Sequence, residues 1–319
     1  MIDKPEVSVV MGVYNGGDSL SRTLESVLSQ QGVDLEFIVV NDGSTDNTLS
    51  ILNDYSEKDN RLRVLDQENS GLTRSLIRGC AEARGEFIAR QDAGDISLPG
   101  RLRKQLDLIQ KSPDVVLVSC WYQLLGPKGE IISEVKPDLD SDIFINNLKN
   151  ADTDSLQGPY HGTVMFSRSA YEKAGGYRQS FYYAQDLDLW TRLIQEGTLM
   201  NVNEILYQAR ICYDSITAIN IDKQHQLRRL IIQATRLRKQ GESDKDILQY
   251  AEKIQPAAFS NNEEKIRANI AYFIGSCLAN NNNPLAITYF REAIKSDFLH
   301  LKAWIKLLKL TLVNYINPS

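Results

Sequence analysis

The sequence predicts an α/β protein with a mostly parallel sheet flanked by helices, followed by an all-α C-terminal region. Three observations carry this. In the first third, short β-branched runs alternate with segments of helical period. The connections between them are short and rich in Asn, Asp and Gly. After about residue 220 only the helical period persists. Strand–helix alternation with short connections is the pattern of parallel strands joined by crossover helices on both sheet faces.

The elements follow in order. Val7 to Val13 is short, β-branched and followed by Asn15-Gly16-Gly17, and so reads as a buried strand. Asp18 is placed to cap a helix in which Leu20, Leu24, Val27 and Leu28 recur at helical spacing. A second strand, Leu35 to Val40, runs into the turn Asn41 to Asp46, with Asp46 positioned to cap the next helix. Arg61 to Leu65 is a strand, Leu72 to Ala83 a helix and Gly85 to Arg90 a strand ending in the acidic loop Gln91 to Asp95. Leu102, Leu106 and Ile109 mark a further helix, and Val115 to Ser119 a further strand. The middle third is mixed, with strands expected at Ile131 to Val135 and His161 to Phe166 and a helix at Leu187 to Ile194. Helical segments then fill the rest of the chain, so we expect domains at 1–218 and 219–319.

Bulk properties narrow the function. A formal charge of −5 offers no positive field for collecting phosphates, which argues against a nucleic-acid partner. The four cysteines form no C-x-x-C pair, so neither a zinc site nor a disulfide framework is expected, and a cytoplasmic setting is the simplest. No apolar run approaches the ~20 residues of a spanning helix. The expectation is a protein free in solution or peripheral at a membrane surface.

Ligands of parallel sheets sit beyond the carboxyl ends of the strands. Three polar clusters fall at such ends: Tyr14-Asn15, Asn41-Asp42 and Asp92 to Asp95. Together they point to a nucleotide site. Asp42 can accept from a base N–H or a ribose hydroxyl, although Asp, Gly and Ser also suit a plain polar turn. Asp92 and Asp95 can hold Mg²⁺ or Mn²⁺ against a diphosphate, or form a solvated loop in which Asp95 caps a turn. Asp186 opens the segment Asp186 to Leu193. There it is either a helix-start acid or the general base that takes a proton from an acceptor hydroxyl.

In order and spacing, the blocks Val7 to Gly16, Val40 to Asp46, Gly85 to Asp95 with Leu98-Pro99 and Arg101-Leu102, His161-Gly-Thr163, Gly175-Gly-Tyr177 and Gln185 to Trp190 resemble the family 2 glycosyltransferases, which have the GT-A fold. The resemblance runs from about Val7 to Arg210. It implies an inverting transferase that moves a sugar from a nucleotide-diphosphate sugar to an acceptor hydroxyl in polysaccharide or cell-surface glycan synthesis. Tyr14 and Asn15 would line the nucleotide pocket and Asp42 would contact the base. Arg74 would lie near the nucleotide, Asp92 would begin the motif for ribose and metal, and Asp186 would be the catalytic base. A UDP-sugar is the first donor to expect, with a glycan or lipid-linked acceptor and Mn²⁺ or Mg²⁺ as cofactor.

Two departures bear on the metal. Many relatives read Asp-Ala-Asp-Asp where this chain reads Asp92-Ala93-Gly94-Asp95, and Arg210-Ile-Cys212 stands where they often have Arg-x-His. Cys212 is either a soft ligand or a small buried hydrophobe. A partner subunit that binds the nucleotide sugar without efficient catalysis is the alternative these departures keep open. A sugar nucleotidyltransferase is disfavoured because Tyr14 to Asp18 contains no Lys or Arg. His161 either approaches the ligand or holds structure. Trp190 and Tyr177 can stack on a sugar ring, but Trp190 shares the apolar face of its helix with Leu187 and Leu193 and so better suits core packing.

In the C-terminal region Ala286, Phe290 and Ala293, with Gly275 and Leu278 before them, weakly resemble a tetratricopeptide helix pair. Such helices can serve a protein partner or self-association. The last helix carries Lys302, Lys306 and Lys309 on one stripe. We read them as snorkelling around a buried face, with anionic membrane as the alternative.

Overall fold

The computed structural model describes residues 4–213, 221–254 and 263–316. The side chain of Asp18 and the expected boundary at 218/219 lie outside them.

In the first unit, β1 (Val7–Val13) leads through α1 (Leu20–Leu28) to β2 (Leu35–Asp42). Then come α2 (Thr48–Lys58), β3 (Leu62–Gln67), α3 (Leu72–Ala81), β4 (Phe87–Arg90), β5 (Ile96–Ser97), α4 (Arg101–Ile109) and β6 (Val115–Leu125), then β7 (Ile131–Val135); of these last two strands, residues 123–125 and 131–134 belong to the second unit. After these follow α5 (Asp142–Asn150), β8 (Met165–Ser167), α6 (Arg168–Lys173), α7 (Gln185–Leu193) and β9 (Thr198–Arg210). The sheet order is β3-β2-β1-β4-β8-β6-β9-β5, with β7 beside β6. β3, β2, β1 and β4 are parallel, as the alternation predicts. Beyond β4 the sheet changes character, for β8 pairs antiparallel with both β4 and β6, and β5 antiparallel with β9.

Successive residues of β1 and β2 feed opposite cores, because side chains alternate across a strand. Val9, Met11, Phe37 and Val39 pack with Leu20, Leu24 and Val27 of α1 and Leu102, Leu106 and Ile109 of α4. Val10 and Ile38 pack on the other face with Leu76 of α3 and Leu187, Trp190 and Leu193 of α7. Each such side chain contributes roughly 1.5–3 kcal/mol when fully buried. Two further helices, α8 (Ile221–Lys239) and α9 (Lys245–Ala251), join this second core through Leu227, Ile231, Ile232 and Ala251.

One expected strand is corrected. His161–Thr163 is a 3₁₀ turn, and only Met165–Ser167 is strand. The turn closes because Thr163 donates to the Tyr160 carbonyl through both its amide (3.0 Å) and its hydroxyl (2.7 Å).

The second unit comprises residues 123–134, 210–221 and 256–319. Its described helices are α10 (Glu263–Asn280), α11 (Ala286–Ser296) and α12 (Leu301–Ile316). Phe290 lies so close on Gly275 that a Cβ there would sit 3.0 Å from its ring. Ile274, Leu278, Ala286, Tyr289 and Ala293 complete this core with Ile132. Among the described residues no helix is long and apolar enough to cross a membrane.

Candidate active site

Since β1, β2 and β4 are parallel, the chain leaves all three at one edge of the sheet. There the loops after β1 and β2 are tied together. The Asn15 Oδ1 accepts from the Thr45 amide (2.8 Å), the Asn15 amide donates to Ser44 Oγ (2.9 Å), and the Gly16 amide donates to Thr48 Oγ1 (2.8 Å). Asn15 sits at φ 52°, a left-handed conformation that Asn tolerates better than most residues. Its amide oxygen is thus spent on the loop, whereas the Tyr14 ring beside it is 52% exposed.

Asp42, at the end of β2, is buried and rich in donors. Its Oδ1 accepts from Gln67 Nε2 (2.7 Å), the Ser70 amide (2.9 Å) and Ser70 Oγ (3.1 Å), and its Oδ2 from the Gly71 amide (2.8 Å). Burial pushes the carboxyl up, but these donors outweigh it and hold the group below the ordinary carboxylate value. Gly71 is needed for this loop. It lies at φ 91°, and a Cβ would come within 2.7 Å of the Tyr182 ring. Arg74, one turn into α3, is exposed and donates to the side-chain oxygen of Gln179 when that amide is oriented to receive it.

The acidic loop after β4 is a tight turn, with the Asp95 amide donating to the Asp92 carbonyl (3.2 Å). Gly94 takes φ 93° inside it, and its amide donates to Thr23 Oγ1 (3.1 Å). The two acids differ. Asp95 is buried, and its Oδ2 accepts from Tyr207 Oη (3.0 Å) and Tyr160 Oη (3.4 Å). Burial and the neighbouring Asp95 and Asp92 carboxylates keep both phenols protonated, and therefore donors, well above their ordinary range. Asp92 stands partly exposed, with Oδ1 accepting from Arg90 Nη2 (2.7 Å). The Arg90 side chain is fully buried and also donates to the Val10 carbonyl and to His161 Nε2 (3.1 Å). Burial and the Arg90 charge hold His161 well below its ordinary value, so the ring is neutral and can accept. Beneath the turn, Arg101 is buried against the Tyr207 ring and donates to Gln91 Oε1 (3.1 Å), Ser97 Oγ (2.7 Å) and the Arg90 carbonyl (2.7 Å).

Ala184, just before helix α7, adopts φ 58°, an uncommon conformation for alanine. Asp186 is partly exposed in the first turn, where its Oδ1 accepts from the Leu187 amide (2.8 Å). Among the described residues no side chain donates to it. Burial first, and the Asp92 carboxylate second, raise its pKa against the opposing amides of Leu187 and Asp186 and the charge of Arg228.

Two residues on, Asp188 is fully buried and chelated. Arg178 reaches it through Nε (3.0 Å) and Nη2 (2.6 Å), and Arg192 through Nη2 (2.6 Å). Burial opposes its charge, yet the two arginines hold its pKa down. Arg178 also meets Asp244, which pairs with Arg238 of α8. Trp190 and Tyr177 are buried, with Trp190 Nε1 donating to the Pro159 carbonyl (3.2 Å) and Tyr177 Oη 2.7 Å from His161 Nε2. His161 therefore belongs to the scaffold that supports Asp92.

The loops thus bring Asp42, Asp92, Asp95 and Asp186 to one edge. Arg90 and Arg101 fall inside motif blocks of the sequence without an assigned role, and Tyr160 and Tyr207 lie outside those blocks. Arg90 carries a readable signal, being the one charge in the strand Phe87–Arg90. Among the described residues no three His, Cys, Asp or Glu side chains gather as a metal cage. Cys212 is partly buried and belongs to the second unit.

The comparisons with known proteins agree with this layout. The family described as glycosyl transferase family 2 matches residues 8–175. The protein EpsE of Bacillus subtilis is 33% identical over 212 residues, covering 65% of this chain and 73% of EpsE. Among solved structures, Staphylococcus aureus TarS (residues 1–349, in complex with UDP) is 16% identical. It superposes at a TM-score of 0.53, covering 91% of this chain and 88% of that one. The mannosyltransferase PcManGT of Pyrobaculum calidifontis, in complex with GDP-Man and Mn²⁺, is 19% identical at a TM-score of 0.55, covering 96% and 88%. The sheet with its flanking helices is thus of the GT-A type. With its motif blocks in order across residues 8–175 and this fold around them, the chain belongs to glycosyltransferase family 2 and is a transferase enzyme.

Proposed function

We propose that the first unit transfers a sugar from a nucleotide-diphosphate sugar to a glycan or lipid-linked hydroxyl, with inversion at the anomeric carbon. The observation that carries this is Asp186, a partly exposed carboxylate in the first turn of α7 that has no side-chain donor among the described residues, and whose pKa burial raises. A higher pKa makes it a better proton acceptor than an ordinary aspartate, whose value is about 3.9. Asp186 takes the acceptor proton as the hydroxyl oxygen attacks the anomeric carbon and the bond to the diphosphate breaks. One base on the face opposite the leaving group gives direct displacement, hence inversion. The family match ends at residue 175, so the role of Asp186 draws on the resemblance of the block Gln185 to Trp190 and on its place in the first turn of α7.

Tyr14 offers an exposed ring for the nucleotide base. Asp42 fixes the loop at residues 67–71, leaving part of Oδ2 for a base N–H, while Asn15 shapes the pocket through its loop contacts. Arg74 is placed to meet phosphate once released from Gln179. The mannosyltransferase structure contains Mn²⁺, which supports a divalent ion here too. Asp92 fits as its protein ligand, since such ions are often held by one carboxylate plus substrate phosphates. Asp95 fits less well, with its Oδ2 engaged by two phenols. When bound, the ion would offset the charge of the departing diphosphate. The UDP bound by TarS and the GDP-Man bound by the mannosyltransferase support a nucleotide donor. Of the two we favour UDP.

The test is thermal unfolding against a panel of nucleoside diphosphates and their sugars, with and without Mn²⁺, followed by turnover with the binding donor. One nucleotide at ~100 times its Kd should stabilise by roughly 2.7 kcal/mol. Asp186→Asn should keep that shift and lose turnover. Stabilisation by no nucleotide would sink the reading in favour of a partner subunit with an impaired site.

A further inference from the structure

Helix α12 has two apolar faces with opposite fates. Ala303 is buried, and Leu307 and Leu310 pack half-buried into the core of the second unit. Leu301, Ile305 and Leu308 form a different face and are 72%, 54% and 56% exposed. Their spacing of four and three makes one helical stripe. Phe298 and Leu299, also exposed, extend it just before the helix. At 100° per residue the stripe is bordered on one side by Lys302, Lys306 and Lys309, and on the other by Trp304. Trp304 donates Nε1 to the Phe298 carbonyl (2.9 Å) and meets its ring edge-on at 5.6 Å. Residues 301–316 contain no Asp or Glu. The lysines thus flank the exposed stripe on one side and the buried face of Ala303, Leu307 and Leu310 on the other.

We propose that this stripe docks on an anionic membrane surface. Phe298, Leu299, Leu301, Ile305 and Leu308 enter the boundary between headgroups and acyl chains. Lys302, Lys306 and Lys309 lie at the level of the lipid phosphates, and Trp304 takes the interfacial position that suits an amphipathic ring. Charge complementarity selects this occupant. A second copy of the chain would bring the same three lysines and no acid from this helix to pair them, whereas an anionic lipid surface supplies their counter-charge directly. The inference does not rest on the transferase reading, because it concerns a different unit and uses none of the site residues.

The test is co-sedimentation of the full chain with vesicles of phosphatidylcholine alone and of phosphatidylcholine mixed equally with phosphatidylglycerol, at low and high salt. Binding is expected to the mixed vesicles only, and to weaken with salt. Replacing Lys302, Lys306 and Lys309 together by Gln should lower partitioning roughly 100-fold, at about fivefold per lysine near such a surface. Ile305→Glu with Leu308→Glu should lower it by at least about tenfold while the unfolding temperature and basal activity stay unchanged. Should the glutamates disturb folding, Leu301→Ser with Leu308→Ser reads the same contact. Absence of binding to the mixed vesicles, or equal binding by the variants, overturns the proposal. So does a mass measurement in which the stripe variant converts a dimer to a monomer without any lipid effect, which would assign the face to a second copy.

Discussion

The loop after β2 and the first turn of α7 both bring an aspartate to the same edge of the sheet and treat it in opposite ways. Around Asp42, a side-chain amide, a hydroxyl and two backbone amides converge, and the carboxylate is held ionised below its ordinary range. Around Asp186, no side chain among the described residues donates, and burial, with the Asp92 charge, raises the pKa. Asp188, two residues from Asp186, sides with Asp42, since two arginines enclose it. A carboxylate surrounded by donors is committed to holding the fold, because each partner loses its bond if the charge leaves. One that is short of donors stores an unsatisfied charge, which is useful for accepting a proton and poor for stability.

The largest expected effect breaks this contrast at Asp186. Asp186→Asn should lower turnover by about 10²–10⁴-fold, the usual contribution of a general base. It should also raise the unfolding temperature at neutral pH. The sign follows from linkage. With the folded-state pKa raised, the favourable contribution of Asp186 is complete below its unfolded value and lost as pH climbs through the folded one, so an uncharged Asn relieves a cost. A turnover near wild type, measured with saturating donor, would remove Asp186 from the chemistry. Asp188→Asn should do the reverse, lowering stability by about 3 kcal/mol in denaturant titration by stranding Arg178 and Arg192. If it is as stable as the parent, the arginines find other partners and the contrast between the two acids is weaker than their surroundings suggest.

Much of the architecture was legible because it is local. Val7–Val13 and Leu35–Asp42 are β-branched and end in Asn, Asp and Gly, so the parallel strands and their ligand edge can be read directly. The antiparallel half was harder. Thr198–Arg210 mixes exposed polar with buried apolar residues, and neither its length nor Tyr207 announces itself. Roles within the site were the least legible. The donors around Asp42 come from Gln67 at the end of β3 and from Ser70 and Gly71 beyond it, and the phenols over Asp95 lie 65 and 112 residues away. Which aspartate is enclosed and which is left open depends on those distant groups, and a sequence block cannot express it. The α12 stripe was hard to read for a related reason. Its period is plain, but with apolar residues on two faces only packing decides which face meets water.

A smaller effect tests Asp42 as a structural group. Its folded pKa is depressed, so its stabilisation is present above the unfolded value of about 3.9 and lost as pH falls through the folded one. The stability gap between the parent and Asp42→Asn should be about 2 kcal/mol near neutrality, the scale of hydrogen bonds to a charged group, and should close in acid. A gap that is constant with pH would mean the loop depends on shape rather than charge. Asp42→Ala should additionally weaken nucleotide binding, through the loop it holds as much as through any direct contact.

The smallest expected effect adds a carboxylate to the open region. Gly94 sits at φ 93°, and among the described residues a Cβ there would meet only Ser19 Oγ, at 3.7 Å. Gly94→Asp is thus opposed mainly by backbone conformation, at about 1 kcal/mol, and by repulsion from Asp92, rather than by a clash. The new side chain would lie two residues from Asp92, the acid whose second oxygen accepts no hydrogen bond among the described residues. If a divalent ion binds at this turn with the nucleotide, a second carboxylate should tighten it severalfold. Titrating Mn²⁺ into the nucleotide complex of both proteins would show this. Unchanged Mn²⁺ affinity alongside the expected loss of stability would place the ion, if any, away from the turn. Asp92 would then act through its own charge on Asp186, as a neighbour that raises the base rather than as a metal ligand.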